Sequence, residues 1–376
     1  MRKKNVLLNV GPKITVIAIT GGPCAGKTTG LAYLYQKLRD RGYKVLISPE
    51  SATKLITAGM TPGELSNSIF QEEILLDVVA QEERMISIAK RYAKIGKRVV
   101  VLCDRGVMDG EAYAGKAAFA RLLKKHSLNH HTACNSRYHA VIHLRTAALG
   151  AEKFYTLENN SARIEGHDRA IQVDEATLDA WTRHHHPRVI DNSTDFDGKI
   201  HRLFEEVCWI LGDPVPLEKE DKFLIKSIRD KDIPVTWFKS LVTQFYLKSN
   251  DDSVRRIRSR ADIDNGETTF YYTIKREVEP GVRSEVERMI SEREFKRLLM
   301  ERDPDFDPIT KERICFFWKN QFFELDRFFG QNRGLYLMEA EQTNLSPEIS
   351  LPPFVKVTKK VTADKNYGNY QLARKK

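Results

Sequence analysis

The segment Gly21-Gly22-Pro23-Cys24-Ala25-Gly26-Lys27-Thr28, continued by Thr29, restricts the fold more than any other stretch of the 376-residue chain. Its spacing is G-x-x-x-x-G-K-[ST]. An apolar, β-branched run, Ile14–Thr20, precedes it and an amphipathic stretch, Leu31–Leu38, follows. Glycines at those positions let successive backbone N–H groups wrap phosphate oxygens at a helix N-terminus. Lys27 suits the β- and γ-phosphates, and Thr28 suits Mg²⁺. Gly21 through Thr29 are therefore candidate nucleotide contacts. Strand, loop and helix in that order predict a parallel α/β sheet. Short apolar runs at Lys44–Ser48, Arg98–Cys103, Ala140–Leu144 and Arg188–Ile190 alternate with helical patterns and extend it, with helices on both faces.

Carboxylates stand where such a sheet places chemistry. Asp104 ends the third strand, where it suits a water-bridged Mg²⁺ or the part of a base. Glu50 follows the second strand and suits an acceptor hydroxyl. The stretch Phe154–Trp181 is polar and lid-like, and its Arg163 and Arg169 are candidates to close on phosphates. Asn192, after the fifth strand, is a candidate base contact. The chain has no NKxD base-reading motif, and Asp104-Arg105-Gly106 resembles the DR-x motif of nucleoside and nucleotide kinases.

The pattern changes at Gly212-Asp213-Pro214-Val215-Pro216, predicting two domains, 1–212 and 213–376. Beyond it the alternation has period two, and Asn265-Gly266 signals a hairpin. Glu218, Glu220 and Lys222 share one strand face, as do Arg256 with Arg258, Glu285 with Glu287, Lys311 with Arg313, and Glu339 with Glu341; Lys275 ends another strand. A closed antiparallel barrel with these faces inward would set cations for phosphate beside glutamate pairs for Mg²⁺ or Mn²⁺. The fold expectation is thus an α/β phosphate-loop domain followed by a mainly antiparallel β-barrel.

Charge fits that picture. Lysine plus arginine totals 61 against 51 acids, a net +10, which biases partners toward anions. In residues 351–376, seven basic residues against Asp364 give +6, a charge suited to an acidic membrane face. Five cysteines with no CxxC pair argue against a disulfide scaffold and for a cytoplasmic setting. No apolar run is long enough to span a bilayer, and no secretory signal is evident. Aromatic residues are not interleaved with basic clusters, so nucleic acid is not an expected partner.

Two resemblances follow from these residues. Glu218–Lys222 with Phe-Leu-Ile, then Arg256, Arg258, Lys275, Glu285, Glu287, Lys311, Arg313 and Glu339-Ala340-Glu341, resemble the CYTH or triphosphate-tunnel superfamily in content and order. That likeness implies phosphate held by the bases and divalent metal held by the acids, with metal-dependent triphosphatase activity as one expectation. The first half is similar to the AAA_28 group of P-loop proteins, which implies a nucleoside-type kinase as another. Together they resemble the TRPL-translocation-defect family. That resemblance implies GTP as bound nucleotide, a phosphoinositide ligand, peripheral membrane association and a role in membrane-protein trafficking.

Overall fold

Residues Ile14–Thr20 form β1, the middle strand of a five-stranded parallel sheet, and all but Thr15 are buried. The computed structural model describes residues 13–61, 63–152, 166–212, 220–249, 251, 253–264, 266–279, 282–341 and 349–375, and the side chains of 276–279, 282–286, 288, 289 and 341 lie outside the description. The chain divides into two units, Met1–Val207 and Cys208–Lys376. The dividing point falls inside a helix, just before the glycine and prolines that suggested a linker; residues 213–219 are not among those described.

In the first unit, β1 leads to α1 (Lys27–Asp40), β2 (Lys44–Ser48), α2 (Ser51–Thr57), α3 (Asn67–Lys94) and β3 (Val99–Asp104). Then come α4 (Gly110–Ala114), α5 (Lys116–Lys125), α6 (His130–Cys134), β4 (Ala140–Leu144), α7 (His167–Ala180), β5 (Pro187–Ile190) and α8 (Phe196–Leu211). Strand order is β2-β3-β1-β4-β5, every pair parallel. The near-continuous apolar strands are what a sheet with both faces covered requires. Because β1 lies between β3 and β4, the chain reverses its direction of winding there, and ligands of such sheets sit beyond the strand C-termini at that point. Gly21 and Gly26 turn the chain out of β1 with φ of 138° and 88°. A Cβ on Gly21 would stand 2.0 Å from the Leu144 carbonyl oxygen, so no larger residue fits.

The second unit holds β6 (Glu220–Ile225), β7 (Trp237–Leu247), β8 (Val254–Asp262), β9 (Thr268–Glu279), β10 (Val282–Ile290) and α9 (Glu292–Leu299). After them come β11 (Ile309–Trp318), β12 (Gln321–Phe328), β13 (Tyr336–Glu341), β14 (Val357–Lys360) and α10 (Asn369–Ala373). They form one antiparallel sheet of order β10-β9-β8-β7-β11-β12-β13-β6-β14. The barrel expected from sequence is therefore seen as a nine-stranded sheet; no pairing joins its edges β10 and β14 among the described residues. The predicted hairpin joins β8 to β9, and the Ser291 hydroxyl caps α9 by accepting from Glu294 N–H. Strand β7 has no clean hydrophobic alternation, because its buried row includes Ser240 and Gln244.

One face of the second sheet is apolar. Phe223, Ile225, Ile314, Phe316, Phe323, Leu325, Met338 and Ala340 pack there with Ile233 and Val355. The opposite face is charged over most of its extent and turns apolar at one end, at Tyr246, Ile309, Phe328 and Leu337. The C-terminal segment covers that end through Val361, Tyr367, Leu372 and Ala373. Lys375 N–H donates to the Asp305 carbonyl at 3.1 Å. The basic tail thus docks by its apolar residues, while Lys356, Lys359, Lys360, Lys365, Arg374 and Lys375 stay exposed.

Candidate functional site

In the first unit the loop closes on itself. Lys27 Nζ donates to the carbonyls of Gly21 at 3.0 Å and Gly22 at 2.9 Å. Burial, reinforced by nearby Arg105, lowers Lys27 to about 8. Asp104 ends β3 beside β1, paired in register with Ile19. Burial raises its carboxyl to about 6 against the pull of Lys27, and its Oδ1 is buried with no hydrogen-bond partner. An unpartnered buried oxygen on a carboxylate, with Thr28 exposed at the start of α1, fits a Mg²⁺ ion. Asp104 and Thr28 are the residues that would hold it, and the ion would neutralise phosphate charge.

Glu50 is built differently. It accepts from Arg105 Nε at 2.6 Å and from the Thr53 hydroxyl at 2.6 Å. Burial works against its charge, yet Arg105 and Lys27 hold its carboxyl down at about 2. A carboxylate that acidic is a weak proton acceptor at neutral pH. The geometry gives Glu50 the work of anchoring Arg105 and leaves Asp104 as the better base.

Arg105 itself was not singled out from the sequence. It sits at φ 69°, uncommon for a residue with a side chain, and donates from Nη1 to Gly21 O at 3.1 Å and to Asp109 at 3.3 Å. Asp109 also accepts from the Thr20 hydroxyl at 2.7 Å and from Trp181 Nε1 at 2.6 Å. Asp174 on α7 is a second buried brace, accepting from Gly22 N–H at 2.8 Å and Thr146 N–H at 3.1 Å, with Arg145 3.0 Å away. The signal for Arg105 was present in Asp-Arg-Gly. Asp109 and Asp174 are single acids whose partners are distant in sequence.

Other predicted residues are placed as follows. Pro23 O accepts from the Thr146 hydroxyl, and Cys24 O accepts from Ala147 N–H at 3.3 Å. Ala25 is buried and Thr29 is exposed. Asn192 donates to the carbonyls of Thr146 at 2.8 Å and Leu149 at 2.6 Å, and its Oδ1 accepts from Lys199. Its amide therefore braces the turn after β4. Arg169 is exposed on α7 and donates to Gln172. Arg163 and Glu218 lie outside the described residues, as do the side chains of Glu285 and Glu341.

In the second unit the register sets the predicted cations on one face. Val254 opposes Lys275, Arg256 opposes Tyr246, Arg258 opposes Tyr271, and Arg260 opposes Val242, which opposes Lys311. Arg313 opposes Asp326, Glu324 opposes Glu339, and Glu339 opposes Lys222. Directly opposed residues project from the same face. The face has two halves. At β11, β12, β13 and β6, Asp326 accepts from Lys311 and from Arg313 at 2.7 and 2.6 Å. Arg313 also reaches Glu324 and, at 2.8 Å, Glu339. Lys222 lies 2.8 Å from Glu339 and 3.7 Å from Glu220. Burial disfavours the Lys222 charge, but Glu220 and Glu339 raise it well above the ordinary lysine range. Burial, with Arg313 beside it, lowers Lys311.

At β8 and β9 the described carboxylates are sparser. Arg258 reaches Glu287 at 2.7 Å and stacks 4.9 Å from the Tyr271 ring centre, while Arg256 stands 3.9 Å from the same glutamate. Arg260 donates to Ser240 at 3.1 Å and to the Cys315 sulfur at 3.3 Å. Glu324, Asp326 and Arg260 were missed from the sequence, although the i, i+2 spacing that selected Arg256 with Arg258 also links them. No three carboxylate, imidazole or thiol groups are gathered as a metal set among the described residues.

Residues 16–199 match the AAA_28 family, described as an AAA domain. The chain is 30% identical over 122 residues to the thymidylate kinase of Oceanobacillus iheyensis, an alignment covering 30% of this chain and 52% of that enzyme. It thus spans about half the length of that relative. The first unit is accordingly similar to kinase-like P-loop domains. Among solved structures, the chain is similar to the inorganic triphosphatase NE1496, with 28% identity over 42% of this chain and 93% of that one, TM-score 0.30. It is also similar to the PH1012 protein of Pyrococcus horikoshii, with 18% identity over 34% and 80% of the two chains, TM-score 0.25.

Proposed function

We propose that this protein binds a Mg²⁺–nucleoside triphosphate in its first unit and a polyphosphorylated anion on the charged face of its second. The observation that carries the reading is the row Arg256, Arg258 and Arg260 on one face, with Glu287 a carboxylate that faces the first two among the described side chains. A multiply charged anion matches such a row, since each guanidinium offers paired donors to phosphate oxygens. The family resemblance makes GTP the first nucleotide to test and a phosphoinositide head group the first anion. With those ligands, the protein would attach peripherally to an acidic cytoplasmic membrane face and serve membrane-protein trafficking. No described helix is long and apolar enough to cross a membrane.

The test is calorimetric titration of the full chain with GTP and Mg²⁺, with inositol trisphosphate, and with vesicles containing or lacking phosphoinositide. Saturable head-group binding that is lost in Arg256→Ala/Arg258→Ala supports the reading. Binding that survives the double change sinks it.

Two further readings each have an observation in favour. Carboxylates Glu220, Glu324, Asp326 and Glu339 share the face with Lys222, Lys311 and Arg313, the side-chain types a metal-dependent triphosphatase uses. Phosphate release from tripolyphosphate with Mg²⁺ or Mn²⁺, lost in Glu339→Gln, would establish it. Asp104, raised to about 6 beside Lys27, suits a kinase base. ATP-dependent labelling of a nucleoside or nucleotide, lost in Asp104→Asn, would establish that one.

A further inference from the structure

The loop after β5 was expected to meet the nucleotide base through Asn192. Its polar side chains are instead engaged with neighbouring parts of the fold. Asn192 braces the 146–149 turn, and Asp191 accepts from Arg202 at 2.8 Å and from the Ser193 hydroxyl at 2.6 Å. The Thr194 hydroxyl accepts from Arg202 and donates to Asp195 O, each at 3.1 Å. Asp195 accepts from Gly198 N–H at 2.8 Å. One side chain of this stretch is large and apolar yet open to water: Phe196, 44% exposed at the first position of α8.

Phe196 is not a stray surface residue. Its ring lies against the phosphate loop, because a Cβ on Gly26 would stand 2.8 Å from Phe196 Cε2. The turn that carries it is held firmly. Buried Lys199, one turn of α8 on, donates to Arg145 O and to Asn192 Oδ1 at 2.8 Å. In a loop that wraps phosphates with inward N–H groups, the sugar and base must leave over the rim. Phe196 lies against Gly26, which the exposed Thr28 and Thr29 follow in the chain, and so stands on that rim.

We propose that Phe196 is the platform on which the nucleotide base stacks. The proposal rests on the nucleotide reading above and adds how the base is held. Every base has a π face, so stacking is tolerant of base identity, whereas hydrogen bonds to base edges are not. The described side chains of 191–195 are engaged internally, so this loop contributes grip without choosing strongly between guanine and adenine.

The experiment titrates the full chain with GTP, ATP and ribose 5-triphosphate, which has no base. Lys27→Ala serves as the baseline for triphosphate bound elsewhere. Phe196→Ala is expected to weaken GTP and ATP alike by about 10-fold, leave ribose 5-triphosphate unchanged, and be rescued by Phe196→Trp. Equal weakening of ribose 5-triphosphate would mean that Phe196 merely shapes the loop, and the proposal fails. Wild-type affinity equal for GTP and the base-free triphosphate also defeats it, while leaving the nucleotide site intact. No triphosphate binding above the Lys27→Ala baseline would remove both readings together.

Discussion

In the first unit the proposed phosphate loop carries one lysine, whose hydrogen bonds go to two carbonyl oxygens of its own loop. In the second, arginines and lysines share a face with carboxylates and are largely bonded to them. Lys27 is pushed down to about 8, close to releasing its proton, whereas Lys222 is pushed up. A phosphate entering the first site would add a counter-charge that offsets the burial lowering Lys27. One entering the second has to compete with glutamates already in place. The first arrangement favours tight capture of one phosphate geometry. The second favours an anion with enough charge to displace its rivals, and its affinity should be more sensitive to salt.

The comparison breaks most readily at Asp326, fully buried between Lys311 and Arg313. Asp326→Ala leaves two buried cations short of a carboxylate and should destabilise the second unit by about 3–5 kcal/mol. Denaturation followed by hydrogen exchange should show the loss in 220–375 while the first unit keeps its protection. Next in size, Lys27→Ala should weaken nucleotide binding about 100-fold, as expected for a lost charged hydrogen bond, and leave head-group binding to the second unit unchanged in the same titrations.

Proton linkage should shape the first site at a smaller scale. Below about 6 Asp104 is protonated and must lose that proton to meet Mg²⁺, so affinity falls with falling pH. Above about 8 Lys27 is neutral and must regain a proton to meet phosphate, so affinity falls with rising pH. Titrations across pH should peak between these values and drop about tenfold per unit beyond them. Smallest of all, Lys356→Ala/Lys359→Ala/Lys365→Ala should change soluble head-group affinity less than about twofold, because these side chains are exposed. A larger loss would move the anion site from the sheet to the tail.

Much of this was legible in the chain because it depends on local spacing. The phosphate loop shows through its glycines, and the charged face shows through period-two pairs such as Arg256 with Arg258. What stayed hidden depends on partners far apart in sequence. Asp174 meets Gly22 from across the unit, and Asp109 joins Thr20, Arg105 and Trp181. Nothing near either acid distinguishes it from a surface carboxylate. Asn192 differs: it occupies the expected loop, and its bracing of the fold is visible only once Thr146, Leu149 and Lys199 surround it.

The pairing of β6 carries a consequence for how the molecule is made. That strand is the first of its sheet in the chain, yet its neighbours β13 and β14 come only after β7 through β12. During synthesis β6 must wait with both edges bare until β7 through β12 have followed it. Bare strand edges invite intermolecular pairing, and sequence-distant contacts form slowly. A stop codon ahead of β14 would therefore do more than shorten the tail: it would leave the newborn sheet open at β6 and make the product prone to aggregate.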